Sequence, residues 1–150
     1  MTKQIPDRNR IESLRKELGF KDPGIFEKSV YAFNLLSELL RVYPGLIFKG
    51  GTSILLHIFP PARLSVDIDI LLPVNERAGL KDALVRMVSA SEWFDAVEEN
   101  PRQSKIPKAH YKFQFASQFS KVSQYVLLDV VFTEHSYKKL VEKDITKLSL

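Results

Sequence analysis

The segment VDIDILL, residues 66–72, decides the fold because its acidic and apolar residues alternate as in a β-strand. Residues i and i+2 of a strand face the same way, about 6.7 Å apart. We therefore predict that Asp67 and Asp69 project from one face of the strand, while Ile68 and Ile70 point into the core. Two carboxylates at that spacing repel each other unless a cation lies close by, and Mg²⁺ prefers such oxygen ligands. A magnesium site and an ordinary strand with two solvated aspartates both remain open.

A third aspartate lies in a second strand-like segment, YVLLDVVF, residues 125–132. The apolar neighbours of Asp129 on both sides predict a central strand that is buried on both faces. An unpaired carboxylate in such a position would be strongly unfavourable, so Asp129 needs a lysine, an arginine, backbone donors or a metal beside it. A metal shared with Asp67 and Asp69 is the simplest of these partners.

A glycine pair precedes the first acidic strand, in LIFKGGTS, residues 46–53. Gly50 and Gly51 carry no Cβ, so their backbone can approach an anion closely, and a helix that starts after them would present free N–H groups. Thr52 is equally suited to cap that helix. No lysine follows the glycines as it does in a P-loop. The groups that could contact phosphate here are Lys49, Gly50, Gly51, Thr52 and Ser53.

The spacing of apolar residues predicts an α/β (α+β) domain with a mixed β-sheet flanked by helices, two of them N-terminal. Asp7 is the expected cap of the first helix and Gly19 its end. The predicted helices cover about 7–18, 23–42, 53–58 and 75–90, with a last one from about 134. The predicted strands cover about 46–49, 66–72, 94–98, 110–119 and 124–132, with a surface loop at 100–108.

Composition describes one ordinary globular domain of 150 residues, 45% hydrophobic and 27% charged. There is no cysteine, which excludes disulfides and thiolate metal sites. The N-terminal residues do not resemble a signal peptide, and no apolar run approaches the roughly 20 residues of a membrane span. We therefore expect a soluble, cytoplasmic protein with no membrane partner. The net charge of +4 is compatible with a polyanionic partner such as RNA, and equally with an ordinary soluble domain.

Two segments, KGGTS at 49–53 and RLSVDID at 63–69, resemble the nucleotidyltransferase motif of the AbiEii/AbiGii toxin family. That family belongs to the DNA polymerase β-like nucleotidyltransferase superfamily, whose third acidic residue would be Asp129. The resemblance covers about residues 46–132. It implies a nucleotidyltransferase fold in which Asp67, Asp69 and Asp129 are catalytic and bind two Mg²⁺ ions, with Mn²⁺ as an alternative.

The resemblance also implies the chemistry and the partners. A hydroxyl would attack the α-phosphate of an NTP, with Asp129 helping to activate it, and pyrophosphate would leave. Expected partners are the NTP, an RNA acceptor such as the 3′ end of a tRNA, and a cognate antitoxin protein. Nucleotide contacts fall to the group at 49–53 named above and to Arg63, which could instead brace Asp67 or Asp69.

The expected organisation is a single domain over 1–150, with a helical segment at 1–44 and a catalytic core at 46–132. The C-terminal helical domain of the family is expected to be absent. That departure leaves an alternative function open, a truncated non-catalytic module that binds nucleotide or a partner. A small-molecule transferase, such as an aminoglycoside-modifying enzyme, is a third possibility. His110 and Lys112 could face the same cleft, although nothing in their local sequence supports it.

Overall fold

The structure is a computed structural model that describes residues 4–49, 67–102 and 105–133. Several sequence predictions lie outside these ranges. They concern the glycine turn with Gly50, Gly51, Thr52 and Ser53, the helix at 53–58, Arg63, and the last helix from about 134.

The two N-terminal helices form where the sequence predicts them. Helix α1 spans Arg8–Leu18, and the Asp7 carboxylate accepts a hydrogen bond from the backbone N–H of Arg10 at 2.7 Å. Gly19 ends α1 with a φ of +80°, a left-handed conformation that glycine adopts without strain. Helix α2 spans Pro23–Val42. Its proline stands in the first turn, where a missing N–H costs no helical hydrogen bond.

The described strands form one mixed sheet in the order β1-β2-β5-β4-β3. Strand β2 pairs with β5 in parallel, and the other neighbouring pairs are antiparallel. A short 3-10 helix, Val74–Glu76, leads into helix α3, Arg77–Ala90, between β2 and β3. The strands are β1 Ile47–Lys49, β2 Asp67–Leu72, β3 Ala96–Glu99, β4 Lys108–Phe115 and β5 Gln124–Phe132.

Strands β3 and β4 differ from their predicted boundaries. Strand β3 starts at Ala96 rather than near residue 94, and Trp93 and Phe94 ahead of it are buried in the core. Strand β4 starts at Lys108 rather than near residue 110, and it ends at Phe115 rather than near residue 119. The hydroxyl of Ser117 accepts the backbone N–H groups of the next turn and donates to Glu27 of α2 at 2.6 Å, so the chain turns there instead of continuing the strand.

The core lies between the helices and one face of the sheet. Tyr31 of α2 stacks on Phe115 of β4 with 3.8 Å between ring centroids, and Trp93 meets the Tyr31 ring edge-on at 5.0 Å. We call this side of the sheet the core face. Five of its side chains in β2 and β5 are completely buried, and they are Ile68, Ile70, Val126, Leu128 and Val130.

The three aspartates all lie on the opposite side of the sheet, which we call the carboxylate face. The alternation predicted for β2 is confirmed, since Asp67 and Asp69 flank the buried Ile68. The prediction that β5 is buried on both faces is wrong. Although β5 is the central strand, only alternate residues of it are buried, and the side chain of Asp129 is 44% exposed. An apolar run on both sides of Asp129 therefore does not signify two covered faces.

Within the described residues, no helix is both long enough and apolar enough to cross a membrane.

Candidate active site

The pairing of four strands brings a row of charged and titratable side chains together on the carboxylate face. Asp69 is the register partner of Lys49 on one side and of Asp129 on the other. Asp129 is in turn the partner of His110 in β4. Neighbouring strands lie about 4.8 Å apart, so two carboxylates stand side by side between two basic groups.

Asp67 extends this site by one step along β2. It is the register partner of Leu127, and Leu127 pairs with Lys112 of β4. The sequence therefore predicted the facing of Asp67 and Asp69 correctly. It could not show that the third carboxylate, Asp129, lies directly beside Asp69, because that proximity depends on the β2–β5 register.

Burial and mutual repulsion disfavour the charged forms of both β2 carboxylates. The pKa of Asp67 is raised, first by desolvation and then by the charge of Asp129, while His110 and Lys28 oppose the shift. The pKa of Asp69 is raised by desolvation, by the charge of Asp129 and by a hydrogen bond with it, and Lys49 opposes the shift. A cation at this position would remove the repulsion that produces part of these shifts.

His110 contributes a contact that the sequence reasoning left unsupported. Its Nδ1 is hydrogen-bonded to Oδ1 of Asp129, and only 12% of the His110 side chain is exposed. When Asp129 is a carboxylate its oxygen can only accept, and the Nδ1–H group of His110 is then the donor. The signal for this contact is the hairpin register. Once Phe115 pairs with Gln124, His110 must face Asp129, but the connection between the strands has no strong turn motif to fix that register.

The carboxylates suit a hard divalent cation of the magnesium type. Among the residues that the structure describes, no three acidic or histidine side chains already surround a single point closely enough to enclose an ion. Magnesium does not need such an enclosure, since it is commonly held by one or two carboxylates and completes its shell with water and substrate phosphates. The adjacent carboxylates of Asp69 and Asp129, with Asp67 beside them, provide that kind of partial site.

Of the residues predicted to contact the nucleotide, Lys49 lies within the part of the chain that the structure describes. It ends β1 opposite Asp69 and places a positive charge at one end of the carboxylate row. The chain then enters the segment that holds the other predicted nucleotide contacts, which lies outside the described residues.

Comparison with known protein families shows the family of this chain. Residues 35–149 match the sequence model of a family described as nucleotidyl transferase AbiEii toxin, type IV TA system. The chain belongs to this family. The match includes all three aspartates and both segments that carry the motif, so the resemblance predicted from residues 49–53 and 63–69 is confirmed.

Two solved structures share the fold of this AbiEii-family chain. One is JHP933 from Helicobacter pylori, with a TM-score of 0.50 and 15% identity over 75% of this chain and 47% of that one. The other is an H. pylori protein classed as a candidate nucleotidyltransferase, with a TM-score of 0.51 and 15% identity over 77% of this chain and 52% of that one. The chain thus spans about half the length of these two structures. No curated protein matches the sequence significantly.

Proposed function

We propose that this chain is a Mg²⁺-dependent nucleotidyltransferase that moves a nucleotide from an NTP to a hydroxyl group on RNA such as tRNA. The observation that carries the proposal is the row of Asp69 and Asp129 on adjacent parallel strands, with Asp67 two residues away on the same face. Three carboxylates in one place are costly without a cation, and the family to which the chain belongs provides a reason for them.

Asp67, Asp69 and Asp129 are the residues that would hold Mg²⁺. When bound there, the ion would stabilise the charge on the triphosphate oxygens during in-line displacement at the α-phosphate. Each protein ligand comes from a strand rather than a loop, and Ile68 and Leu128 anchor those strands in the core. The carboxylates are therefore held in place before substrate arrives, which lowers the cost of ordering them.

The two basic groups at the ends of the row have separate tasks. Lys49 stands next to Asp69 and directly precedes Gly50 in the sequence, and its ammonium group would pair with a phosphate. His110 holds one oxygen of Asp129 by a hydrogen bond and so orients the carboxylate. In this proposal, Asp129 oriented in this way accepts the proton of the attacking hydroxyl.

The family also supplies the biological setting of the proposal. The family is described as a toxin of a type IV TA system, so we propose a cognate antitoxin as partner and a cytoplasmic location for this chain. The RNA acceptor is the one that the resemblance to this family implies, and the net charge of +4 and the basic groups around the carboxylates are compatible with it.

The experiment that tests this function measures transfer of radiolabel from α-labelled NTPs to total RNA. Wild-type protein with Mg²⁺ is expected to label RNA, while the Asp69→Asn variant and a reaction with EDTA are not. Metal-dependent NTP binding without transfer to any RNA would instead support the alternative of a non-catalytic binding module. Transfer to a small hydroxyl compound but not to RNA would support the small-molecule enzyme.

A further inference from the structure

An exposed tyrosine stands on the carboxylate face at the beginning of β5. Tyr125 is 40% exposed, whereas Val126, the next residue, is fully buried on the core face. Tyrosines on the surface of a sheet often serve only as cross-strand packing partners. The surroundings of Tyr125 are more specific than that.

Two lysines from different elements place their ammonium groups over the Tyr125 ring. Nζ of Lys112, in β4, lies 4.4 Å from the ring centroid, and Nζ of Lys28, in α2, lies 5.2 Å from it. Lys28 is also close enough to the acidic row to lower the pKa of Asp67 against the effect of burial. The three side chains Lys28, Lys112 and Tyr125 form what we call the aromatic–lysine cluster.

The aromatic–lysine cluster adjoins the carboxylates along a single strand. Tyr125 precedes Asp129 by four residues on the same face, about 13 Å along β5. Lys112 lies between them, since it pairs with Leu127, the register partner of Asp67. A chain that leaves the carboxylates along β5 would meet first Lys112 and then the Tyr125 ring.

We propose that the aromatic–lysine cluster binds the single-stranded end of the acceptor RNA, with a base stacked on Tyr125 and the backbone phosphates paired with Lys28 and Lys112. This inference rests on the proposed function, because it supplies the acceptor site for that reaction. Non-specific single-strand sites in proteins combine these same two elements, an aromatic platform and neighbouring cations.

The free energy of binding favours replacing the lysine–Tyr125 contacts of the free protein by contacts with RNA. A base stacked on an aromatic side chain is held more strongly than an exposed lysine over the same ring. A base can therefore displace an ammonium group, and the freed lysine gains a phosphate partner in place of the ring. The resting contacts keep both lysines close to where the RNA backbone must pass.

The test measures binding of RNA without the reaction. A 5′-fluorescein-labelled single-stranded RNA of about 12 nucleotides is titrated with the full chain by fluorescence anisotropy, in EDTA and without NTP. Tyr125→Leu is expected to raise the Kd by about 5- to 150-fold, and Tyr125→Phe to stay within about threefold of wild type. Lys112→Gln should weaken binding and reduce the slope of log K against log salt by about 0.7.

The matched control is Lys81→Gln, which removes the same charge from an exposed position on α3, the helix packed against the core face. It should bind RNA like wild type. Thermal melting of every variant separates lost binding from lost folding. Equal RNA affinity of Tyr125→Leu, Lys81→Gln and wild type would overturn the proposal, as would a wild-type protein that does not bind the RNA.

Two further outcomes separate this inference from neighbouring ones. If Tyr125→Leu binds RNA normally but loses affinity for Mg-NTP, the cluster holds the incoming nucleotide and the acceptor assignment is wrong. If RNA binding depends on Tyr125 and Lys112 but no RNA is ever labelled in the transfer assay, the binding site stands and the proposed reaction fails.

Discussion

The two faces of the sheet are built from the same strands and differ in almost every physical property. On the core face, Leu128 and the side chains of Val126 and Val130 beside it are fully buried and pack under α2 and α3. On the carboxylate face, Leu127 and Asp129 are partly exposed and stand among charged groups. Consecutive residues of β5 thus alternate between the packed core and the charged face of the sheet.

The two faces therefore differ in their effect on the stability of the fold. The core face stabilises the fold through burial of apolar area. The carboxylate face holds acidic groups whose raised pKa values record unfavourable burial and repulsion. We expect substitutions on the first face to change folding, and those on the second to change chemistry with little loss of stability.

The largest expected effect is that of Asp129→Asn on nucleotide transfer. The substitution removes one of the three carboxylates without changing the size of the side chain, and we expect nucleotide transfer to fall by about 10³-fold or more. The fold should stay intact, because Asp129 lies outside the core. Initial rates with labelled NTP and RNA measure the first effect, and thermal melting measures the second.

The same variant has a predicted effect on pH dependence. A carboxyl group whose pKa is higher in the folded state favours folding below its ordinary pKa, and that contribution is lost as pH rises through the raised value. Removing the charge of Asp129 should lower the pKa of Asp67 and Asp69 toward ordinary values. The loss of stability between about pH 4 and pH 8 should therefore be smaller in Asp129→Asn than in wild type. A steeper loss would contradict this account.

The sequence predicted the elements of this fold well and their spatial neighbours poorly. The caps at Asp7 and Gly19 and the alternation at 66–72 are local signals, and they correctly predicted helix α1 and the facing of Asp67 and Asp69. The contact of His110 with Asp129 depends on hairpin register. The cluster around Tyr125 brings α2 and β4 to one ring. No local pattern encodes contacts between such distant segments.

The adjacent leucines of β5 offer the most closely matched test of the two faces. Leu128→Ala should lower the free energy of unfolding by about 2 to 5 kcal/mol, because it leaves a cavity in the core. Leu127→Ala, on the carboxylate face, should lower it by about 1 kcal/mol or less. Urea unfolding of both variants measures the difference. Equal losses would mean that the carboxylate face is packed as tightly as the core face.

His110→Ala tests whether the histidine acts by positioning Asp129. Loss of a hydrogen bond to a metal-binding carboxylate typically reduces metal affinity by about 10- to 100-fold. We therefore expect His110→Ala to raise the Mg²⁺ concentration needed for half-maximal transfer, with a smaller effect on the rate at saturating Mg²⁺. His110→Asn keeps an N–H donor and should recover part of the affinity. A histidine that instead removed the proton itself would lower the saturating rate in both variants and leave the Mg²⁺ requirement unchanged.

The smallest predicted effect concerns two carboxylates on the core side, where charge has no catalytic use. Glu27 is buried but satisfied, since Ser117 Oγ and the N–H of Gln118 both donate to it at 2.6 and 2.8 Å. Glu38 accepts only from Ser91, and its Oε2 has no hydrogen-bond partner among the described residues. Burial raises the pKa of Glu38, against the opposing effects of Ser91 and Arg41.

These environments predict opposite signs for the same substitution. Because the raised pKa of Glu38 means that its ionisation disfavours the folded state, stability is lost as pH rises through that pKa. Glu38→Gln should remove this loss and stabilise the protein at neutral pH by on the order of 1 kcal/mol or less. Glu27→Gln directs an amide toward the donors of the β4–β5 connection, and should destabilise it by about 1 to 3 kcal/mol. Unfolding free energies at about pH 5 and pH 8 measure both variants. Destabilisation by Glu38→Gln at the higher pH would mean that this buried carboxylate is better satisfied than its contacts indicate.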